Sequence, residues 1–123
     1  ILQERRSLKR FKILGAKVKY KQEKGFQGSK EYSGEGLLVD LTQNGVRFET
    51  HHNLKPGAIV YLDLIIKDKP IIPLTGNILW VAPGNEKTPA NAVVQFFAFG
   101  DGKDYNLIES KILLEELTKE FNS

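Results

Sequence analysis

The stretch Gly36-Leu-Leu-Val-Asp-Leu-Thr-Gln-Asn-Gly-Val-Arg-Phe-Glu-Thr50 decides how this chain is read. Gly36–Asp40 reads as a strand. Gly45–Thr50 reads as the next one, with Val46 and Phe48 on one face and Arg47 and Glu49 on the other. Asn44-Gly45 between them is a strong hairpin signal. Gly45 is expected to supply a positive φ and to leave space where a ligand approaches. Asp40 and Thr42 point to the same face of an extended chain. Asp, Thr and Asn-Gly are also ordinary turn chemistry, so the motif by itself does not define a site.

On the N-terminal side, Ala16-Lys-Val-Lys-Tyr-Lys21 alternates apolar and basic residues, as a half-buried strand with a lysine face does. The Gly- and Ser-rich run from Lys24 to Gly36 reads as a loop. Within it, Gly25-Phe-Gln-Gly-Ser-Lys30 lacks the spacing of a phosphate-binding loop. On the C-terminal side, Pro56-Gly57 marks a turn. Ala58–Ile66 then reads as a strand with Val60, Leu62, Leu64 and Ile66 on one face. Ile71–Val81 is a fifth strand, with Gly76 marking a bulge or a close backbone approach. Pro83–Asn91 is a polar loop, and Ala92–Phe99 a sixth strand.

The period then changes. Leu107, Leu114, Leu117 and Phe121 recur at helical spacing with Ile108 and Ile112 beside them, which predicts a helix from about Asp104 to Glu120. Asp104 is the expected N-cap or first-turn acid. The stripe is read as core packing against the barrel rather than as a docking face. Six short strands and a closing helix predict an all-β, six-stranded antiparallel barrel with a C-terminal α-helix. The expected division is a basic arm over 1–14, the barrel over 15–100 and the helix over 101–123.

The chain has 123 residues, no cysteine and no methionine. One domain is expected at that length. The absence of cysteine excludes a disulfide scaffold, a thiol nucleophile and any Cys-ligated metal. The missing initiator methionine suggests a domain excised from a longer protein. No apolar run approaches the ~20 residues a membrane span needs, and no secretory pattern is present. A cytoplasmic location is expected. The two histidines, His51 and His52, would point to opposite faces if extended, a poor arrangement for one metal.

The net charge is +3. Residues 4–12 carry five basic groups against one acid, so the remainder is close to neutral. Arg5, Arg6 and Arg10 are three of only four arginines in a chain that otherwise uses lysine. Arginine adds a planar fork that bonds phosphate or a guanine edge at two points. A solvated arm is the plainer reading of such a run.

Together the two motifs resemble a known signature. Arg6-x-x-x-Arg10 precedes the first strand, and Asp40-x-Thr42-x-x-Gly45 follows about thirty residues later at a strand-to-strand turn. The pattern resembles that of PilZ domains, bacterial receptors for the second messenger cyclic di-GMP. Gly76-Asn-Ile-Leu-Trp80 and Ala92-Val-Val-Gln-Phe96 look like two further strands of that family. The resemblance implies a six-stranded barrel with a C-terminal helix. It implies that Arg6 and Arg10 clamp the ligand through guanine edges and phosphates. Asp40 would read a guanine Watson–Crick edge, and Thr42 and Gly45 would line the same surface. Trp80 would stack under a base or pack into the wall, and Arg5 would touch a second ligand molecule or stay solvated. The family usually has Ser where Thr42 stands, and the added methyl brings bulk and fixes χ1.

The resulting expectation is a cyclic di-GMP receptor whose ligand orders the arginine arm onto the barrel and relays a conformational signal to a protein partner or flanking effector domain. The alternative is a degenerate PilZ-like domain that binds a protein and no nucleotide. A barrel for single-stranded DNA or RNA ranks lower, because the basic charge is too localised. Nothing in the sequence marks a catalytic constellation or a cofactor, so neither an enzyme nor a cofactor is expected.

Overall fold

The computed structural model describes residues 10–23 and 32–121. Its strands are β1 (Lys17–Gln22), β2 (Tyr32–Leu41), β3 (Gly45–Thr50), β4 (Ile59–Ile65), β5 (Ile72–Ala82) and β6 (Ala90–Phe96), followed by helix α1 (Ile108–Phe121). They pair antiparallel in the order β1-β2-β3-β6-β5-β4, and β1 returns to β4 to close a barrel. Among the described residues every strand has a neighbour on both sides.

Alternation builds the interior. Val18 and Tyr20 of β1 point inward while Lys17, Lys19 and Lys21 face water. Val60, Leu62 and Leu64 of β4 do the same against exposed Tyr61 and Asp63. Phe48, Leu41, Leu64, Ile72 and Ile78 are fully buried. Each such side chain contributes about 1.5–3 kcal/mol relative to an exposed one. Gln22 is buried too, and its Oε1 accepts a hydrogen bond from the Lys55 N–H at 2.7 Å.

Three expectations need correction. The Gly- and Ser-rich stretch was expected to be loop as far as Gly36, but β2 already begins at Tyr32. Its glycines hide the strand pattern, yet Gly36 is required there. A Cβ on it would stand 1.7 Å from the Glu49 carbonyl oxygen of the strand beyond. The sixth strand starts earlier and ends earlier than expected, at Ala90 and Phe96, because Phe97 leaves the ladder with β3 and bonds Thr75 instead.

The helix differs most. It starts at Ile108, so Asp104 lies in the preceding turn and is not its N-cap. Ser110, Leu114 and Leu117 form its buried face, and the Ser110 hydroxyl donates to the Pro73 carbonyl at 2.8 Å. Leu107, Ile108, Ile112 and Phe121 are exposed, so only part of the stripe is core. Leu107 precedes the helix, and Ile108 and Ile112 lie outside its buried face. Among the described residues no helix is long and apolar enough to cross a membrane.

Candidate ligand-binding face

The chain before β1 is pinned to the end of β2. Phe11 N–H donates to the Leu41 carbonyl at 3.0 Å, and Leu41 N–H donates back at 2.9 Å. Phe11 is buried, so this bridge is anchored in the core. It fixes Arg10 beside the turn that carries the second motif.

Two bulges shape the face. The β2–β3 register slips between Leu38 and Asp40, and the β5–β6 register slips between Ile78 and Trp80. Leu38 and Leu41 are both buried although three positions apart, as Ile78 is buried and Val81 packs against the core. An extra residue in each strand turns the next one outward. Strict alternation would have aimed Asp40 and Trp80 into the interior. Instead Asp40 sits opposite Arg47, Arg47 opposite Val93, and Val93 opposite Trp80, in one row across β2, β3, β6 and β5.

That row has its own contacts. The Arg47 guanidinium carbon lies 5.3 Å from the Trp80 ring centroid. A partly exposed cation–π pair of this kind contributes about 0.5–1 kcal/mol. Arg47 Nε also donates to Asn91 Oδ1 at 3.3 Å. Trp80 is 41% exposed, so its packing is on the outer surface and not within the barrel wall.

The turn between β2 and β3 is held by Thr42. Its N–H donates to the Gly45 carbonyl at 2.9 Å, and its Oγ1 accepts from the N–H groups of Asn44 and Gly45, each at 3.0 Å. The Thr42 hydroxyl therefore shapes the turn. Gly45 was expected to adopt a positive φ; the positive-φ glycines among the described residues are Gly15, Gly57 and Gly100. The reason for glycine is spatial. A Cβ on Gly45 would stand 2.4 Å from the Val94 carbonyl oxygen. Gly76 is the same case, 2.2 Å from the Gln95 carbonyl, and the β5 bulge lies beyond it.

Arg10, Asp40, Thr42 and Gly45 line one open cavity of about 280 Å³, together with Arg47 and Leu79. That is slightly below the roughly 300–1,000 Å³ of common small-molecule sites. Two guanidinium groups and one carboxylate meet there. Arginine forks bond phosphates, and a carboxylate accepts from adjacent N–H groups such as a guanine edge presents. Among the described residues no ion pair joins Arg10 to Asp40. Arg5 and Arg6 lie outside the described residues, as does the segment 25–30. The histidines lie elsewhere. His51 is exposed, and His52 Nδ1 is 2.7 Å from the Tyr20 hydroxyl, which accepts from Thr50.

Over residues 4–113 the chain matches the PilZ domain family. It belongs to that family. A comparison with curated proteins finds no match. In this PilZ domain the match takes in Arg5 and Arg6 as well as the barrel and the start of the helix. Sequence reasoning missed Arg47 and Leu79 as parts of the cavity. The signal for Arg47 was present, since it is the fourth arginine of a lysine-rich chain and faces outward on β3. Leu79 follows buried Ile78 and faces outward by simple alternation, but a single exposed leucine is no signal of a site.

Proposed function

We propose that this PilZ domain is a cyclic di-GMP receptor module. The observation that supports it is the convergence of Arg10, Asp40, Thr42 and Gly45 on one cavity with the outward-facing Arg47. Arg10, joined by Arg6 of the arm, takes the phosphates and the Hoogsteen edge of a guanine. Asp40 accepts from the N–H groups of its Watson–Crick edge. Thr42 keeps the turn in shape and Gly45 keeps the floor flat. Trp80, already faced by Arg47, offers a ring for a base. Arg5 lies next to Arg6 and serves a second ligand molecule.

The ligand then fixes the N-terminal arginine arm on the barrel. What moves with the arm is a protein partner or flanking effector domain, an electrostatically triggered ordering step. The site binds and makes no covalent bond, so no catalytic role and no cofactor enter this reading. Such a receptor acts in the bacterial cytoplasm.

Trp80 is the single tryptophan of the chain, so its fluorescence reports on this face alone. Cyclic di-GMP is expected to change that emission saturably, and cyclic di-AMP to leave it unchanged. Adenine presents a donor–acceptor mismatch that leaves Asp40 unpaired. Equal responses to both dinucleotides, or a response that any single-stranded oligonucleotide reproduces and salt abolishes steeply, would contradict the proposal.

A further inference from the structure

A second cavity, of about 690 Å³, lies on the outer face of β4 and β5 and shares no residue with the one above. Tyr61 lines it from β4. Phe97 and Glu23 stand where β6 and β1 end, and Lys103, Asp104 and Tyr105 come from the loop before α1.

That loop is tied down. Buried Asn106 accepts from the Thr75 N–H at 2.7 Å and donates to the carbonyls of Thr75 and Phe97, each at 3.0 Å. Its own N–H reaches the Ala98 carbonyl at 2.8 Å. The Tyr105 ring lies so close on Gly102 that a Cβ there would approach it to 2.7 Å. Tyr105 is thus held in place although 53% exposed, and Tyr61, 43% exposed, projects from the outer face of β4.

Three rings and two carboxylates face this space against one ammonium. Ring faces attract cations through their quadrupole, and carboxylates add to the attraction. Tyr61 reports the same negative surroundings. Its phenol is pushed above the ordinary tyrosine value by burial first, then by the charge and hydrogen bond of Glu23 and by Asp104, with Lys21 opposing.

We propose that this cavity is a second binding site, one that takes an organic cation through its ammonium or guanidinium head. The head sits between Glu23 and Asp104 and the alkyl stem lies on the rings. An anion would meet two carboxylates there, and a neutral apolar group would gain nothing from them. The site does not depend on the cyclic di-GMP reading. The cation arrives either as a Lys or Arg side chain of a protein or as a free amine.

The test is a titration of the full chain followed by the ring resonances of Tyr61 and Tyr105. The probes are the blocked amino acids N-acetyl-arginine methylamide and N-acetyl-lysine methylamide, the neutral citrulline analogue, and putrescine. Saturable shifts are expected with the cations, at a dissociation constant on the order of millimolar, and about tenfold weaker with citrulline. Tighter binding of the blocked amino acids assigns the source to a protein side chain; tighter binding of putrescine assigns it to a free amine. The Glu23→Gln, Asp104→Asn double variant should weaken binding about tenfold, and Lys103→Met should strengthen it. Equal binding of citrulline, no saturable shift, or weakening by Lys103→Met would overturn the proposal. Cyclic di-GMP titrated into the same double variant should behave as with the unaltered protein, so the two sites fail or succeed separately.

Discussion

The wall made by β1 and β4 and the wall made by β2, β3, β6 and β5 use the same antiparallel pairing and present different surfaces. The β1–β4 register runs unbroken from Lys17–Ile65 to Gln22–Val60. Its outward positions hold the exposed charges Lys17, Lys19, Lys21 and Asp63, with Tyr61 among them. The other wall slips twice, at Val39 and at Leu79. Each slip turns one residue from the interior to the surface, and the two residues turned out, Asp40 and Trp80, flank Arg47 and Val93 in one row. A regular ladder gives a core and a solvated face. An interrupted ladder can gather an acid, a base and a ring at chosen points.

Two aromatic truncations break the comparison most severely. Phe48→Ala, in the core, is expected to lower stability by about 3–5 kcal/mol. Trp80→Ala, outside it, is expected to cost under about 1 kcal/mol, the scale of its contact with Arg47. Urea midpoints with unchanged slope would check both. A loss for Trp80→Ala equal to that for Phe48→Ala would place Trp80 in the core.

Smaller effects sharpen the picture of the turn. Gly45→Ala must displace the Val94 carbonyl and is expected to cost about 1–3 kcal/mol. Its circular dichroism should stay native. Thr42→Val leaves two backbone N–H groups without their acceptor and is expected to cost about 1 kcal/mol. Thr42→Ser keeps that acceptor and should lie within about 0.5 kcal/mol of the unaltered protein. A loss as large for Ser as for Val would mean that the methyl, not the hydroxyl, holds the turn.

The regular wall was legible in the sequence because period-two patterning and burial agree residue by residue. Val18 and Tyr20, or Val60, Leu62 and Leu64, need no knowledge of the fold. Asp40 and Thr42 were placed on one face by simple alternation, and both do line the cavity, but the route is different. Asp40 gets there through the bulge at Val39, which the apolar run Leu37-Leu38-Val39 conceals. Trp80 was undecided between wall and surface for the same reason, since Ile78 and Leu79 read equally well inward. Gly45 was identified correctly as a special position for the wrong cause, because a clash with a carbonyl on a strand distant in sequence leaves no local trace. The helix misled in the opposite direction. Ile108 and Ile112 fit an apolar stripe, but packing against the barrel buries only the 110, 114 and 117 positions. Strand pairing and helix placement are long-range facts, and spacing alone does not contain them.

The central claim concerns the interrupted wall. Titration calorimetry with cyclic di-GMP tests it most directly, on the unaltered protein beside the Arg6→Ala, Arg10→Ala pair and Asp40→Ala. Micromolar or tighter binding is expected, about −8 kcal/mol or better, lost in both variants while their urea midpoints stay close to native. The titration also gives the number of ligand molecules bound. No heat from a folded sample, or undiminished binding in Asp40→Ala, would contradict the claim.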